Sequence, residues 1–211
     1  MWKLKDTGVY LKINSILRAS GYGLIDDLHR IGVKVFADLK LNDIPSTIRV
    51  NVEMLAEARP EIVTVMGCAG VKGIKAVKEV LGDSTEVLVV TVLTSLDDDE
   101  CQEIFGCSTN DGVIKFAKMA QLAGADGLIL SPAEIKMLEG EKTTLSLNAP
   151  NFRPEWDQNP DRSSTIIETF KSGLNRAVME RAIINAENPR EAVMLTLEEI
   201  EEGLALRKVD A

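Results

Sequence analysis

Seven short runs rich in β-branched residues, at 9–14, 34–40, 62–67, 87–93, 127–131, 144–148 and 177–181, alternate with stretches of helical period. The helical patterns fall at about 15–31, 45–59, 71–81, 109–123, 132–139 and 164–173, and a charged helix at 189–206 follows the last run. Such a repeat is the signature of βα units around a parallel sheet, because parallel neighbours need a crossover and a helix supplies it. The sheet can close into a barrel or stay open and doubly wound. No G-x-G-x-x-G follows the first run, so the main marker of the open dinucleotide-binding fold is missing. The pattern predicts an α/β fold of the (β/α)8 TIM-barrel type, one strand-helix unit short, with its site at the C-terminal ends of the strands. At 211 residues and 45% hydrophobic content, a single barrel domain spanning 1–211 is expected.

Charges inside two of these runs need a reason. Side chains alternate across a strand, so in "KVFADLK" Val35, Ala37 and Leu39 face one way while Phe36, Asp38 and Lys40 face the other. "VYLKIN" repeats the arrangement, with Val9, Leu11 and Ile13 opposite Tyr10, Lys12 and Asn14. Neighbouring strands would then send Lys12, Asp38 and Lys40 into one interior. Burying such charges is costly unless they pair or bind a ligand, which makes them site candidates. The competing reading is a salt-bridged sheet edge in water.

The rest of the composition narrows the partners. A net charge of −9, with no basic runs, argues against binding nucleic acid or an anionic membrane surface. No apolar run approaches the ~20 residues needed to span a bilayer, and the N-terminus lacks a signal core, so a cytoplasmic protein is expected. The three cysteines, Cys68, Cys101 and Cys107, lack zinc-site spacing, and His29 is the only histidine. Cys68 has no histidine near it in the pattern to make it a nucleophile. The acidic run Asp97, Asp98, Asp99, Glu100 lacks EF-hand spacing and reads as a solvated helix start. Met54, Met119 and Met137 sit on helical patterns and read as core filler. One irregular stretch, 148–164, is long enough to be functional or disordered.

"FADLKLNDIPST" resembles the D-x-K-x-x-D-I-P-x-T motif of the orotidine 5'-phosphate decarboxylases. "EIVTVMGCAG", "VLVVTVLTSLDDDE", "AKMAQLAGADGLILSP" and "RAVMERAI" resemble successive family segments in the same order, covering most of the chain. Two relatives, the 3-keto-gulonate 6-phosphate decarboxylases and hexulose-phosphate synthases, share D-x-K-x-x-D but typically lack the continuation seen here as Ile44, Pro45, Ser46 and Thr47. The resemblance implies decarboxylation of orotidine 5'-phosphate to UMP in pyrimidine synthesis, with neither metal nor organic cofactor. It implies that Lys12, Asp38, Lys40 and Asp43 form an alternating charge network in which Lys40 stabilises and protonates the carbanion at C6. It also implies a homodimer, with Asp43 and Thr47 reaching into the partner's site. Ser95 would contact the pyrimidine, Arg153 and Arg181 the phosphate, and Gln158 both. The alternatives are a barrel-derived dimeric binding or scaffold protein without turnover, and a sugar-phosphate decarboxylase or aldolase of the same superfamily.

Several positions depart from the family pattern. Family members normally begin with a further strand carrying a substrate-contacting aspartate, and Met1 falls after it. A seven-strand sheet would leave the edges of 9–14 and 177–181 unpaired, with Leu11 and Val178 needing cover from the N-terminal segment, a partner or an upstream strand. Met66 stands where the family has a histidine, and Asn151 and Glu180 stand where it has glycines. A carboxylate at 180 would repel a phosphate bound at Arg181.

Overall fold

The computed structural model describes residues 4–138, 143–150, 152, 154, 156 and 165–209. Seven parallel strands stand side by side in sequence order: β1 (Tyr10–Ile13), β2 (Lys34–Leu41), β3 (Ile62–Met66), β4 (Glu86–Val90), β5 (Gly127–Ile129), β6 (Ser146–Pro150) and β7 (Arg176–Val178). They curl into a nearly closed barrel with the helices outside, as the βα repeat predicts. Two separate apolar layers record the curvature. Val35, Ala37, Val63, Val65, Val87 and Val89 join the large core between sheet and helices. Phe36, Ile62 and Leu88 point the other way and meet Tyr10, Ile129 and Val178 inside the barrel. Strands β2, β3 and β4 are therefore buried on both faces, which is why these runs are near-continuously apolar.

The helices follow the periodicity with a few physical corrections. The single helix expected over 15–31 is two, α1 (Ser15–Ser20) and α2 (Gly23–Arg30), parted at Gly21, whose φ of 77° ends the first. Next come α3 (Pro45–Ala56), begun by its proline, and α4 (Gly70–Leu81), preceded by a 3₁₀ turn at Gly67–Ala69. The acidic run becomes the capping box of a whole helix, α5 (Asp98–Phe105): Asp97 accepts from the Glu100 amide, and Glu100 accepts from the Asp97 amide. Such a cap is worth about 1 kcal/mol. Then follow α6 (Thr109–Ala123), α7 (Ile135–Leu138) after a 3₁₀ turn at Pro132–Glu134, α8 (Ile166–Lys171), α9 (Arg181–Ile184) and α10 (Pro189–Val209). The last strand ends at Val178 and Arg181 opens α9 instead of closing the 177–181 run, because a helix of four residues is too short to display a helical period.

Among the described residues no ladder joins β7 to β1, and Leu11 and Val178 are only half-buried. The chain ahead of β1 runs along the flank of this gap. Leu4 and Val9 pack with Met179, Ile183, Val193 and Leu197, and Arg190 of α10 donates to the Lys5 carbonyl at 2.9 Å. Inside, Arg176 of β7 crosses the barrel to Glu86 of β4 through two hydrogen bonds of 3.0 and 3.1 Å and donates to Asn148 at 2.7 Å. Its guanidinium also lies 5.1 Å from the Tyr10 ring centroid, so one side chain links β7 to β1 across the gap.

Candidate active site

Strand β2 carries the charges to the mouth of the barrel. Asp38 is 5% exposed, and its Oδ2 accepts from Lys12 Nζ at 3.0 Å and from Lys40 Nζ at 2.6 Å. Its Oδ1 accepts from the hydroxyl of Thr64, a fully buried residue of β3, at 2.9 Å. The three charged groups expected to share one interior do so. The sheet-edge reading fails for Asp38, whose carboxylate is held from three directions, while about a third of each lysine side chain stays open to solvent.

Burial alone would push the Asp38 carboxyl up, but the hydrogen bond and charge of Lys40 and the charge of Lys12 outweigh it and hold the group below its ordinary range. A carboxylate whose folded pKa lies below its unfolded value of about 3.9 stabilises the fold in full above that value. That contribution is lost as pH falls through the folded pKa. Asp38→Asn is therefore expected to lower stability by about 2 kcal/mol near neutrality, a modest figure because both ammonium groups are partly screened by water. Urea unfolding of both proteins from pH 6 down to pH 2 should show the gap close below about pH 4. A gap that stays constant over that range would show that Asp38 does not act through its charge.

A cavity of about 180 Å³ opens over the cluster, lined by Lys12, Asp38 and Lys40 on one side and by Val92, Leu93 and Thr94 on the other. Phe36 also lines it, as do Ile129, Pro150 and Val178, the last residues of β5, β6 and β7. A larger cavity of about 620 Å³ lies by Asp126, Ser146 and Asn175, at the opposite ends of the strands and away from the lysines. The smaller one has the chemistry: two ammonium groups and one carboxylate leave a net positive charge facing an apolar wall. Such a site can hold an anion and stabilise negative charge where little water competes. Among the described residues no group of three or more His, Cys, Asp or Glu is placed to hold a metal ion.

The remaining site candidates lie at varying distances from this centre. Ser95 is exposed, directly after the lining residue Thr94. Asp43 is exposed and accepts from the adjacent Ile44 amide at 2.7 Å, and among the described residues it does not join the other charges. Thr47 is half-buried in the first turn of α3. Arg181 is exposed at the start of α9, and Glu180 is exposed just before it. Arg153, Gln158 and Asn151 fall outside the described residues.

One contributor was not foreseen. Thr64 looks, in sequence, like any β-branched residue of a buried strand, and only its hydrogen bond to Asp38 across the strands reveals its part. The lysine itself is held in an unusual conformation, with φ of 49°. For a residue with a Cβ this left-handed backbone costs about 1–2 kcal/mol, and such strain tends to gather at functional sites.

Comparison with known proteins agrees with this fold. A family model described as Orotidine 5'-phosphate decarboxylase / HUMPS family matches residues 2–195. The orotidine 5'-phosphate decarboxylase of Streptococcus sanguinis (strain SK36) is 33% identical over 195 residues, covering 89% of this chain and 84% of the relative. That of Streptococcus agalactiae serotype III (strain NEM316) is 32% identical over 202 residues, covering 92% and 87%. Among solved structures, orotidine 5'-phosphate decarboxylase from Lactobacillus acidophilus superposes with a TM-score of 0.80 at 30% identity, over 91% of this chain and 87% of the other. The enzyme from Pyrococcus horikoshii OT3 gives 0.78 at 26% identity, over 95% and 90%.

Proposed function

The chain belongs to the orotidine 5'-phosphate decarboxylase / HUMPS family, and from that premise we propose that it converts orotidine 5'-phosphate to UMP in pyrimidine synthesis. The observation that carries the proposal is the Asp38 carboxylate fixed between the Lys12 and Lys40 ammonium groups at the barrel mouth. Loss of CO2 from C6 leaves a vinylic carbanion with no neighbouring electron sink, so the site must stabilise charge electrostatically and then deliver a proton. Lys40 can do both, since one of its N–H bonds is spent on Asp38 and the others can face the ligand. A substrate carboxylate about 4 Å from Asp38 would be repelled by about 4 kcal/mol at an effective dielectric near 20, and departure of CO2 relieves it. The preorganised ammonium carries more weight than this ground-state term.

The cavity is smaller than the ~300–1,000 Å³ usual for drug-sized ligands. The pyrimidine occupies it and meets Ser95 at the rim, and ribose and phosphate extend towards Arg181, with Arg153 contacting the phosphate and Gln158 both base and phosphate. The working unit is a cytoplasmic homodimer of single-domain barrels, in which Asp43 and Thr47 serve the partner's site. Two features favour the dimer: among the described residues Asp43 meets none of the charges of its own chain's cluster, and Ile44, Val50 and Met54 beside it are 64%, 56% and 60% exposed.

Chromatographic detection of UMP from orotidine 5'-phosphate, run beside 3-keto-gulonate 6-phosphate and hexulose 6-phosphate, tests the assignment. UMP formation with no change in either sugar phosphate is expected. Conversion of a sugar phosphate alone would move the chain to the other branch, and inertness towards all three would leave a binding or scaffold role. At the phosphate corner, Glu180→Gly should tighten UMP binding about fivefold, since it removes a carboxylate beside a dianion at a solvent-screened distance. Calorimetry on Glu180→Gly and Glu180→Gln separates charge from bulk, and an unchanged or weaker Kd in both would clear Glu180 of opposing the phosphate.

A further inference from the structure

Strands β2 and β3 fall out of step where Lys40 sits. Ala37 pairs with Val63, yet the next pair is Leu41 with Val65, so four residues of β2 are spent against two of β3. The peptide between Leu39 and Lys40 lies within this bulge, and its two polar ends meet side chains. The Lys40 amide donates to Thr64 Oγ1 at 2.8 Å, and the Leu39 carbonyl accepts from Arg18 Nη2 at 2.6 Å. The Thr64 hydroxyl in turn donates a hydrogen bond to Asp38 Oδ1 at 2.9 Å, while Arg18 Nε donates to Asn14 Oδ1 at 3.2 Å. Asn14 directly follows the strand that carries Lys12.

From this arrangement we infer that Thr64 and Arg18 are positioning residues that clamp the Leu39–Lys40 peptide and so aim the Lys40 ammonium at the reacting carbon. A lysine in a regular strand would project straight from the pleat, whereas the left-handed turn at φ 49° bends it back over Asp38. Without outside partners that peptide would relax towards ordinary strand geometry, because the conformation is unfavourable for any residue with a Cβ. Thr64 holds the amide and the carboxylate with one hydroxyl, which couples the lysine's backbone to the position of its counter-ion. Arg18 holds the carbonyl and, through Asn14, the end of the Lys12 strand, so the two ammonium groups share one support.

The inference rests on the decarboxylase reading, and its test separates the two. Thr64→Val keeps the shape and removes the hydroxyl. It should lower kcat by roughly 100-fold, the scale of a misplaced reacting group, with KM within about threefold, while Thr64→Ser stays within about fivefold of wild type. A Thr64→Val protein with near wild-type kcat, or a Thr64→Ser protein as impaired as Thr64→Val, would overturn the clamp. Arg18 lies on an exposed helix, so Arg18→Met decides the matter if Thr64→Val does not fold: kcat should fall about tenfold and recover in Arg18→Lys, and an unchanged kcat in Arg18→Met would overturn it. If the wild type proves inactive, the functional reading falls but the clamp is still measurable in crystal structures. Lys40 should keep positive φ and its 2.6 Å contact with Asp38 in the wild type and lose both in Arg18→Met. Retention of both in the variant would overturn the clamp.

Discussion

Lys40→Ala is expected to reduce decarboxylation by roughly 10⁴-fold or more while leaving the chain folded. The loss combines two contributions, electrostatic stabilisation on the order of 10²–10³ and proton delivery on the order of 10²–10⁴, both of which depend on the same ammonium group. A 10⁴-fold loss corresponds to about 5 kcal/mol of transition-state stabilisation. Stability should change little, because Asp38 keeps Lys12 and Thr64 and the lysine side chain is a third exposed. A partly exposed pair of this kind is worth about 1 kcal/mol or less. Circular dichroism and a melting curve establish the fold, and the rate is read on the same sample. Retention of more than roughly a tenth of wild-type kcat would remove Lys40 from the chemistry.

Mixing two inactive proteins should restore activity. Lys40→Ala and Asp43→Ala each disable every site of their own homodimers if a site draws Lys40 from one chain and Asp43 from the other. In a two-fold dimer with one copy of each, one site receives both mutations and the other receives neither. Random exchange of equal amounts makes half of the dimers mixed, and half of their sites are intact, so roughly a quarter of wild-type activity is expected. Mass spectrometry of differently tagged chains confirms the exchange. Zero recovery after confirmed exchange would place Asp43 outside any shared site, and its exposure would then be that of an ordinary loop carboxylate.

The positions of the seven strands were legible because each run is rich in β-branched residues and bounded by turn or helix signals, and in the central ones burial and propensity agree on both faces. The charged residues were legible for the opposite reason: Lys12, Asp38 and Lys40 contradict the burial of their strands, and alternation puts them on one face. What alternation could not express is the bulge. Lys40 is not a glycine, so nothing in its type announces a positive φ, and the cause lies in Thr64 and Arg18, 24 and 22 residues away along the chain. The Arg176–Glu86 link was hidden in the same way, since 90 residues separate two partners that meet only when the sheet curls. Short helices such as α9 escape because one turn carries no period, and the break at Gly21 was passed over because the apolar pattern continues on both sides of it. Asp43 marks a different boundary. The motif resemblance implies a site role for it, while the chain by itself leaves it at the surface.

The most direct measurement is the loss of ultraviolet absorbance when orotidine 5'-phosphate is added to the purified protein, with Lys40→Ala run beside it under the same conditions. The account predicts steady decay of the substrate signal, proportional to wild-type protein, with UMP as the product, and a flat trace for the variant. A flat trace from a folded, dimeric wild type would contradict the proposed activity, and equal decay in both samples would contradict the role given to Lys40.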